Sequence, residues 1–277
     1  MSDPVVRHVR SGDATTTPLD VAPETAGWRY LSFRVIALEP GDTIRGDTAG
    51  NEMAFVPLAG SGRFGFEGTT HAVARRDVFT EKPQVAYLPP RTSYSIEALG
   101  RFEVAMGGAP AEGIHPARLF TPDELPSFVR GGSNVSRGVT CTVDPTFPAE
   151  RLIAYEILTP SGNWSSFPPH RHDGRLGTSY HEETYYFRLS PQDGFALQRI
   201  YTRDTDLDVS IAAGHGDLVL VHEGYHTVAS APGTNTYYLN FLAGDSKPVT
   251  QLNDPAYAWI VDDWAGRPIA IPVAPTT

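Results

Sequence analysis

PPHRHDGRLGTSYHEETYYF (residues 168–187) places three histidines and two adjacent glutamates immediately before an aromatic run. His170 and His172 are two residues apart, and side chains at this spacing share one face of a β-strand. Glu183 begins the run ETYYFRL, where strand alternation puts Glu183 and Tyr185 on one face. The stretch therefore predicts a polar cluster on one face of a β-structure, built from two neighbouring strands.

The rest of the chain is a succession of short β-type runs separated by turn residues. Its 277 residues include 26 glycines and 24 prolines, and long apolar segments of helical period are missing. This pattern is typical of an all-β sandwich or barrel. Representative runs are RYLSFRVIAL (29–38), EMAFVPLAG (52–60), RFEVAMGG (101–108), RLIAYEIL (151–158), ALQRIYT (196–202) and TYYLNFLAG (236–244).

The strand-like runs form two groups with the same order of strand, glycine turn and proline- or glycine-bearing turn, which indicates an internal duplication. We expect a first unit over residues 1–112 and a connecting segment over 113–147 that is rich in proline, glycine and serine. The second unit is expected over 148–277 and includes a C-terminal tail. At 40% hydrophobic residues, the chain can bury a substantial core.

Composition argues against several classes of function. A formal charge of −10 without basic runs argues against nucleic-acid binding. The chain has no stretch of 18 or more apolar residues, so no membrane-spanning helix is predicted. The opening MSDPVVRHVRSGDATTT lacks the apolar region of a secretory signal, so we expect a cytoplasmic protein. The single cysteine, Cys141, lies in the alternating run VTCTV and is expected to be an inert strand residue.

One motif match fails on its context. Gly60-Ser-Gly62-Arg-Phe-Gly65 fits the dinucleotide pattern GxGxxG, whose mechanism requires a strand before it and a helix after it. Here β-type runs lie on both sides, so a hairpin connecting two strands is predicted instead.

The histidines are clustered, since six of the nine lie between positions 170 and 226. His226 follows a turn, Glu223-Gly224-Tyr225, after the strand-like DLVLV. Three imidazoles and one carboxylate make a mixed nitrogen and oxygen site, which suits a borderline divalent ion with open coordination positions. The alternative for any single histidine is a rim position in a β-protein. The candidate metal ligands are His170, His172, Glu183 and His226, whereas His181, His215, His222 and Glu182 are expected outside the ligand set.

These residues match the two cupin motifs, which are His-x-His with a following Glu and a glycine turn with a final His. The stretches AGWRYLSFRV (26–35), GNWSSFPPHRHD (162–173), EETYYFRLSPQDGFALQRIYT (182–202) and GDLVLVHEGYH (216–226) resemble the 5-deoxy-glucuronate isomerases of myo-inositol catabolism, in the uronate isomerase superfamily. The resemblance covers about residues 25–262. It implies a tandem cupin (bicupin), that is, two jelly-roll β-sandwich barrels.

The resemblance also implies an activity. Members of this family are aldose–ketose isomerases that interconvert 5-deoxy-D-glucuronate and 2-deoxy-5-keto-D-gluconate. The implied cofactor is one divalent metal ion, and zinc, manganese or iron would each serve. The implied partner is a small anionic sugar acid, and a homo-oligomer is left open. The implied ligands are again His170, His172, Glu183 and His226.

Two departures from the family pattern stand out. The turn before the last ligand resembles the family pattern Pro-x-Gly-Tyr-His-Pro, but here His222 and Thr227 replace the two prolines. Because proline stiffens a turn, we expect His226 to be less rigidly held. We also expect His222 to be a rival ligand for the metal. In the first unit Arg91 stands where glycine would be and Tyr94 where the ligand histidine would be. Glu52 is expected to echo Glu183, and this half is expected to be metal-free.

The remaining site residues are predicted from their position near the ligands. A substrate carboxylate calls for arginine, and Arg199 is the first choice, followed by Arg188. Tyr185 and Tyr238 are candidates for proton transfer, with packing as the alternative role. Two other functions stay open, a cupin Fe(II) dioxygenase and a non-catalytic cupin that binds a sugar acid.

Overall fold

The computed structural model describes residues 6–9 and 16–264, which form antiparallel sheets with two short helices and two 3-10 turns. Strands of the first half are β1 (Val6–Val9), β2 (Leu19–Val21), β3 (Ser32–Leu38), β4 (Thr43–Asp47), β5 (Asn51–Phe66), β6 (Thr69–Arg75), β7 (Val85–Leu88), β8 (Ser93–Pro110) and β9 (Arg118–Phe120). Strands of the second half are β10 (Ser127–Arg130), β11 (Arg137–Val143), β12 (Ile153–Thr159), β13 (Trp164–Arg171), β14 (His181–Ser190), β15 (Ala196–Tyr201), β16 (Asp208–Ala213), β17 (Leu218–Val221), β18 (Tyr225–Ser230), β19 (Asn235–Gly244) and β20 (Leu252–Asn253). The helices are α1 (Pro23–Ala26) and α2 (Ile260–Asp263), and the 3-10 turns are Pro122–Glu124 and Ser133–Val135.

The first barrel is one sheet in the order β2-β3-β8-β5-β7-β9, with β4 added to β8 and β6 added to β5. Strands β5 and β8 are 16 and 18 residues long and bend at bulges, where their register shifts between Gly60 and Gly62. Gly60 has φ +94°, and a Cβ there would lie 1.7 Å from the Arg101 carbonyl oxygen. The GxGxxG glycines therefore lie inside one continuous strand, and the prediction that they connect two strands was wrong.

The second barrel has two facing sheets. A sheet ordered β1-β17-β14-β19-β12-β11-β10 lies over one ordered β16-β15-β18-β13-β20. Apolar side chains from both sheets meet in one buried cluster, which includes Tyr185 and Val219 from the first and Ile200 and Val228 from the second. Two such barrels in one chain confirm the predicted all-β tandem fold.

The segment 113–147 supplies strands to both barrels. Strand β9 pairs with β7 in the first barrel, whereas β10 and β11 extend the larger sheet of the second. The division at 112 and 148 stays a prediction, and the predicted C-terminal tail falls partly on residues 265–277, outside those described. Within the described chain, no helix is long and apolar enough to cross a membrane.

Strand alternation divides the apolar residues between barrel interiors and a shared interface. On β14, Tyr185 and Phe187 face the interior of the second barrel, while Tyr186 packs with Phe33 and Phe241 between the barrels. The interior of the first barrel is filled by aromatic and aliphatic side chains that include Phe55, Phe64, Phe66 and Phe102. The two barrels therefore share a continuous apolar interface.

Two buried carboxylates join the barrels reciprocally. Glu182, the second residue of β14, accepts hydrogen bonds from the backbone N–H groups of residues 29–31, just before β3. Glu52, the second residue of β5, accepts hydrogen bonds from those of residues 150–152, just before β12. The first-barrel Glu52 therefore corresponds to Glu182, and the expectation that it echoes Glu183 was wrong.

Candidate metal centre

Three histidines converge from two paired strands of the smaller sheet. His170 on β13 is the register partner of His226 on β18, and His172 follows directly after β13. The ring centroid of His226 lies 4.6 Å from that of His170 and 5.2 Å from that of His172. Potential ligand atoms of the three rings all lie within 4.8 Å of one another, so a single ion can reach all three.

Each ring is oriented by a backbone carbonyl. The Nδ1 atoms of His170, His172 and His226 lie 3.3, 3.2 and 3.2 Å from the carbonyl oxygens of Pro168, His181 and Gly224. Because a carbonyl oxygen only accepts, each Nδ1 carries the hydrogen in these contacts. The Nε2 lone pairs are then free to point inward, which is the tautomer that metal-binding histidines commonly adopt.

Glu183 completes the cluster from the facing sheet. Its Oε2 lies 2.9 Å from His172 Nε2 and 3.1 Å from His226 Nε2. Burial opposes ionisation of this carboxyl, but the two imidazoles outweigh burial and hold the pKa of Glu183 well below its ordinary value. Burial likewise opposes charge on His172, yet the hydrogen bond and charge of Glu183 raise the pKa of His172, so its Nε2 carries either a proton shared with Glu183 or, with the ring neutral, a lone pair for a metal ion.

The donor set fits a divalent cation. His226 Nε2 is buried and makes no hydrogen bond, although Glu183 Oε2 lies 3.1 Å from it. Burial, together with the neighbouring imidazoles, lowers the pKa of His170 well below its ordinary value, so this ring stays neutral. The converging imidazole lone pairs and the carboxylate repel one another unless a positive charge lies between them. Nitrogen and oxygen donors of this kind suit zinc, manganese or iron.

The turn before His226 is held in place without the family prolines. Gly224 donates its N–H to Asp173 Oδ2 at 2.8 Å and has φ +92°, where a Cβ would lie 2.6 Å from the Tyr201 carbonyl oxygen. His222 is not a rival ligand, because its ring packs against Trp28 and its Nε2 contacts the Ala26 carbonyl oxygen at 2.7 Å. The expected rivalry was therefore wrong.

The cluster opens into a cavity of about 620 Å³. Tyr185 and Tyr238 line it, and their hydroxyls lie 3.1 and 3.2 Å from the hydroxyl of Ser166. Burial raises the pKa of both tyrosines, well above the ordinary value for Tyr185, so both hydroxyls stay protonated. Ser166 has φ +49°, a strained conformation that places its hydroxyl between the tyrosines.

The two predicted substrate arginines lie elsewhere. Arg188 is on the opposite face of β14 from Glu183 and pairs with Glu103 of the first barrel at 2.6 Å. Arg199 is partly exposed, pairs with Asp208 at 2.6 Å, and faces away from His226 because its neighbour Ile200 is the register partner of that ligand. Neither guanidinium lines the cavity, and the expectation that they do was wrong.

Three other residues had been expected outside the ligand set. His181 is buried, with its ring 6.1 Å from that of His172, and its Nδ1 contacts the Ser179 hydroxyl. His215 contacts Arg188 on the far side of the sheet. Glu182 joins the barrels, as described above, so the choice of Glu183 over Glu182 agrees with the geometry.

Sequence reasoning missed Arg137 and Ser166, both of which line the cavity. Arg137 begins β11, in a segment that was predicted to be a connection, so no strand pattern marked it. Ser166 precedes the histidine motif in the run WSSFPPH, where its positive φ could not be read from the sequence. Only the tertiary structure brings these two residues to the metal cluster.

The matching region of the first barrel is built differently. Arg91, at the position of Gly224, has φ +60°, which preserves the left-handed turn without glycine. Tyr94, at the position of His226, packs its ring 4.9 Å from that of Phe55 in the apolar interior. The turn geometry is thus common to both barrels, while the donor groups belong to the second.

Fold and site together define a tandem cupin with a histidine and carboxylate centre in its second barrel. A family model described as KduI/IolB matches residues 5–260, and the chain belongs to this family. A protein of Geobacillus thermodenitrificans called 5-deoxy-glucuronate isomerase is 40% identical over 247 residues, 87% of this chain and 90% of that protein. One of Halalkalibacterium halodurans with the same name is 35% identical, covering 88% and 92%.

Solved structures agree with this placement. An IolB-like protein from Salmonella typhimurium has a TM-score of 0.88 and 32% identity, and the match covers 91% of this chain and 98% of the other. An oxalate decarboxylase from Lactobacillus farciminis has a TM-score of 0.65 at 13% identity, with coverage of 89% and 88%. The second likeness concerns the fold alone.

Proposed function

We propose that this protein is a metal-dependent aldose–ketose isomerase that interconverts 5-deoxy-D-glucuronate and 2-deoxy-5-keto-D-gluconate in myo-inositol degradation. The observation that carries the proposal is the convergence of three oriented imidazoles and one carboxylate in a cavity of about 620 Å³. Relatives called 5-deoxy-glucuronate isomerase, at up to 40% identity across most of both chains, support this choice of substrate.

His170, His172, Glu183 and His226 would hold one divalent ion, with zinc, manganese and iron as the candidates. When bound, the ion supplies Lewis acidity that stabilises negative charge on two neighbouring substrate oxygens. The protein prepares this site in advance, because backbone carbonyls fix the three rings before any ligand arrives. Glu183 contributes the negative charge that a divalent cation requires.

The reaction moves one proton from C2 to C1 and another between the two oxygens, so no oxidant or reductant is needed. Tyr185 and Tyr238 are the proposed proton-handling groups, because their hydroxyls line the cavity and are linked through Ser166. With raised pKa values both stay protonated, so they would donate to a developing oxyanion rather than remove a proton from carbon.

The direct test is conversion. Protein loaded with zinc, manganese or iron is mixed with 5-deoxy-D-glucuronate, and formation of the ketose is followed by NMR. His172→Ala is the control variant, which should lose stoichiometric metal and activity while keeping the β-sheet circular dichroism. If no metal form converts the sugar acid, the isomerase proposal is wrong; oxygen uptake by the iron form would instead indicate a dioxygenase, and binding without turnover a sugar-acid-binding protein.

A further inference from the structure

The cavity contains a buried arginine with an unusual set of partners. Arg137 is 8% exposed, and its guanidinium donates to the carbonyl oxygens of Val135 at 2.9 Å and Phe167 at 3.2 Å. No carboxylate among the described residues forms an ion pair with it. Carbonyl oxygens satisfy hydrogen-bonding groups but leave the positive charge without a counterion.

Other buried arginines of this chain are paired with acids. Arg75 contacts Glu156, Arg171 contacts Asp173, and both contacts are 2.6 Å long. A chain with 32 acidic and 22 basic residues offers ample carboxylates, so the lack of one beside Arg137 is a specific feature of this cavity. A buried guanidinium without a counterion is costly, and an incoming anion would offset that cost.

The surroundings of Arg137 strengthen its attraction for an anion. Burial lowers the pKa of Arg137, and the positive charge of Arg130, at the edge of the same cavity, lowers it further. Gly131, at φ +83°, packs closely beside the guanidinium, since an added Cβ would lie 2.3 Å from the Val135 carbonyl oxygen and 2.8 Å from Arg137 Nη1. Arg137 nevertheless lines the cavity, so an anion bound there can reach it.

Arg137 and the metal cluster share one cavity. The guanidinium contacts the Phe167 carbonyl oxygen on β13, and Phe167 lies three residues before the ligand His170. Arg137, His170, His172 and Glu183 all line the same cavity of about 620 Å³. A single sugar acid in this cavity can therefore contact the guanidinium at one end and the metal cluster at the other.

We propose that Arg137 binds the carboxylate of the sugar acid and so selects acids over neutral sugars, with the reacting end at the metal cluster. This assignment rests on the proposed isomerase function. It predicts that the protein distinguishes a sugar acid from an uncharged analogue of the same size through this one guanidinium.

Binding is measured without turnover, by titration calorimetry of metal-loaded protein with D-glucuronate and with the neutral D-glucuronamide. Wild type should bind the acid at least about 30-fold more tightly than the amide, as expected for a buried charge pair. Arg137→Gln should abolish this preference while keeping metal content, and Arg137→Lys should retain part of it. Arg199→Gln is the matched control and should behave as wild type, since Arg199 lies outside the cavity.

A variant-free measurement covers the case in which Arg137→Gln fails to fold. Phenylglyoxal modification of Arg137, mapped by mass spectrometry, should be slowed by D-glucuronate and not by D-glucuronamide. Equal binding of the two sugars by wild type, or a preference that survives Arg137→Gln, overturns the assignment. Conversion of 5-deoxy-D-glucuronate is assayed separately, so an acid preference without conversion refutes the isomerase function and leaves the assignment standing.

Discussion

Replacement of Glu182 by glutamine tests whether two adjacent glutamates have separate roles, with Glu182 joining the barrels and Glu183 binding the metal. In the native protein Glu182 Oε1 accepts from the Arg29 N–H at 2.7 Å and the Tyr180 hydroxyl at 3.0 Å. Its Oε2 accepts from the Tyr30 and Leu31 N–H groups at 3.0 and 2.8 Å. Glutamine keeps only one acceptor oxygen. With its amide nitrogen toward Tyr30 and Leu31, two backbone N–H groups lose their acceptor; with the nitrogen toward Arg29 and Tyr180, the Arg29 N–H loses its acceptor while the Tyr180 hydroxyl can turn and accept from the amide.

The expected cost follows from these contacts. A buried donor left unpaired costs about 1–3 kcal/mol, and the remaining hydrogen bonds weaken because their acceptor is no longer charged, so the free energy of unfolding should fall by about 3 kcal/mol. For a chain of this size the melting temperature should fall by about 10 °C. Metal content should be unchanged in the folded variant, because Glu182 points between the barrels and away from the histidines.

Thermal unfolding followed by circular dichroism, with metal analysis of the same samples, measures both quantities. Glu183→Gln is the matched control one residue away, and it should lose stoichiometric metal and activity. A Glu182→Gln melting temperature within about 2 °C of wild type would refute the stability argument. Loss of metal from Glu182→Gln with an unchanged fold would show that the roles of the two glutamates were exchanged.

Three further outcomes are expected. Glu52→Gln should destabilise the protein about as much as Glu182→Gln, by about 3 kcal/mol in urea unfolding, because it removes equivalent acceptors. Tyr185→Phe and Tyr238→Phe should each lower kcat by at least about 10-fold with metal content unchanged, and an unaltered kcat would assign the hydroxyls to packing. Burial raises the pKa of the Cys141 thiol to about 11, so the reactive thiolate is scarce below that pH. Iodoacetamide at pH 8 should therefore modify Cys141 about 100-fold more slowly in the native protein than in the unfolded chain. Equal rates would contradict the buried environment of the thiol.

The metal cluster could be predicted because its signals are local. His170 and His172 share one face by simple alternation, and Glu183 is the third residue of the following strand. His226 is marked by the glycine turn before it, so its approach to His170 required only that two strands pair. In each case the spacing along the chain determined which face the side chain occupies.

The substrate end of the cavity could not be predicted in the same way. Arg188 and Arg199 are near the ligands in sequence, but pleating turns the first away and strand register turns the second away. Arg137 is 33 residues before His170 and reaches the cavity only because β11 joins the larger sheet of the second barrel. Such placement depends on long-range pairing, which composition and local periodicity do not encode.

The reciprocal carboxylate contacts between the barrels have a consequence for how the molecule is assembled. Glu52 of one barrel contacts the segment before β12, and Glu182 of the other contacts the equivalent segment before β3. In a homodimer this would be an isologous interface, in which each copy gives and receives the same contact. The chain therefore has the organisation of a twofold dimer fused into one polypeptide. The two halves of a fused chain, unlike the subunits of a homodimer, can differ in sequence. One barrel can therefore have an aromatic interior in place of metal-binding side chains while both barrels keep the shared interface.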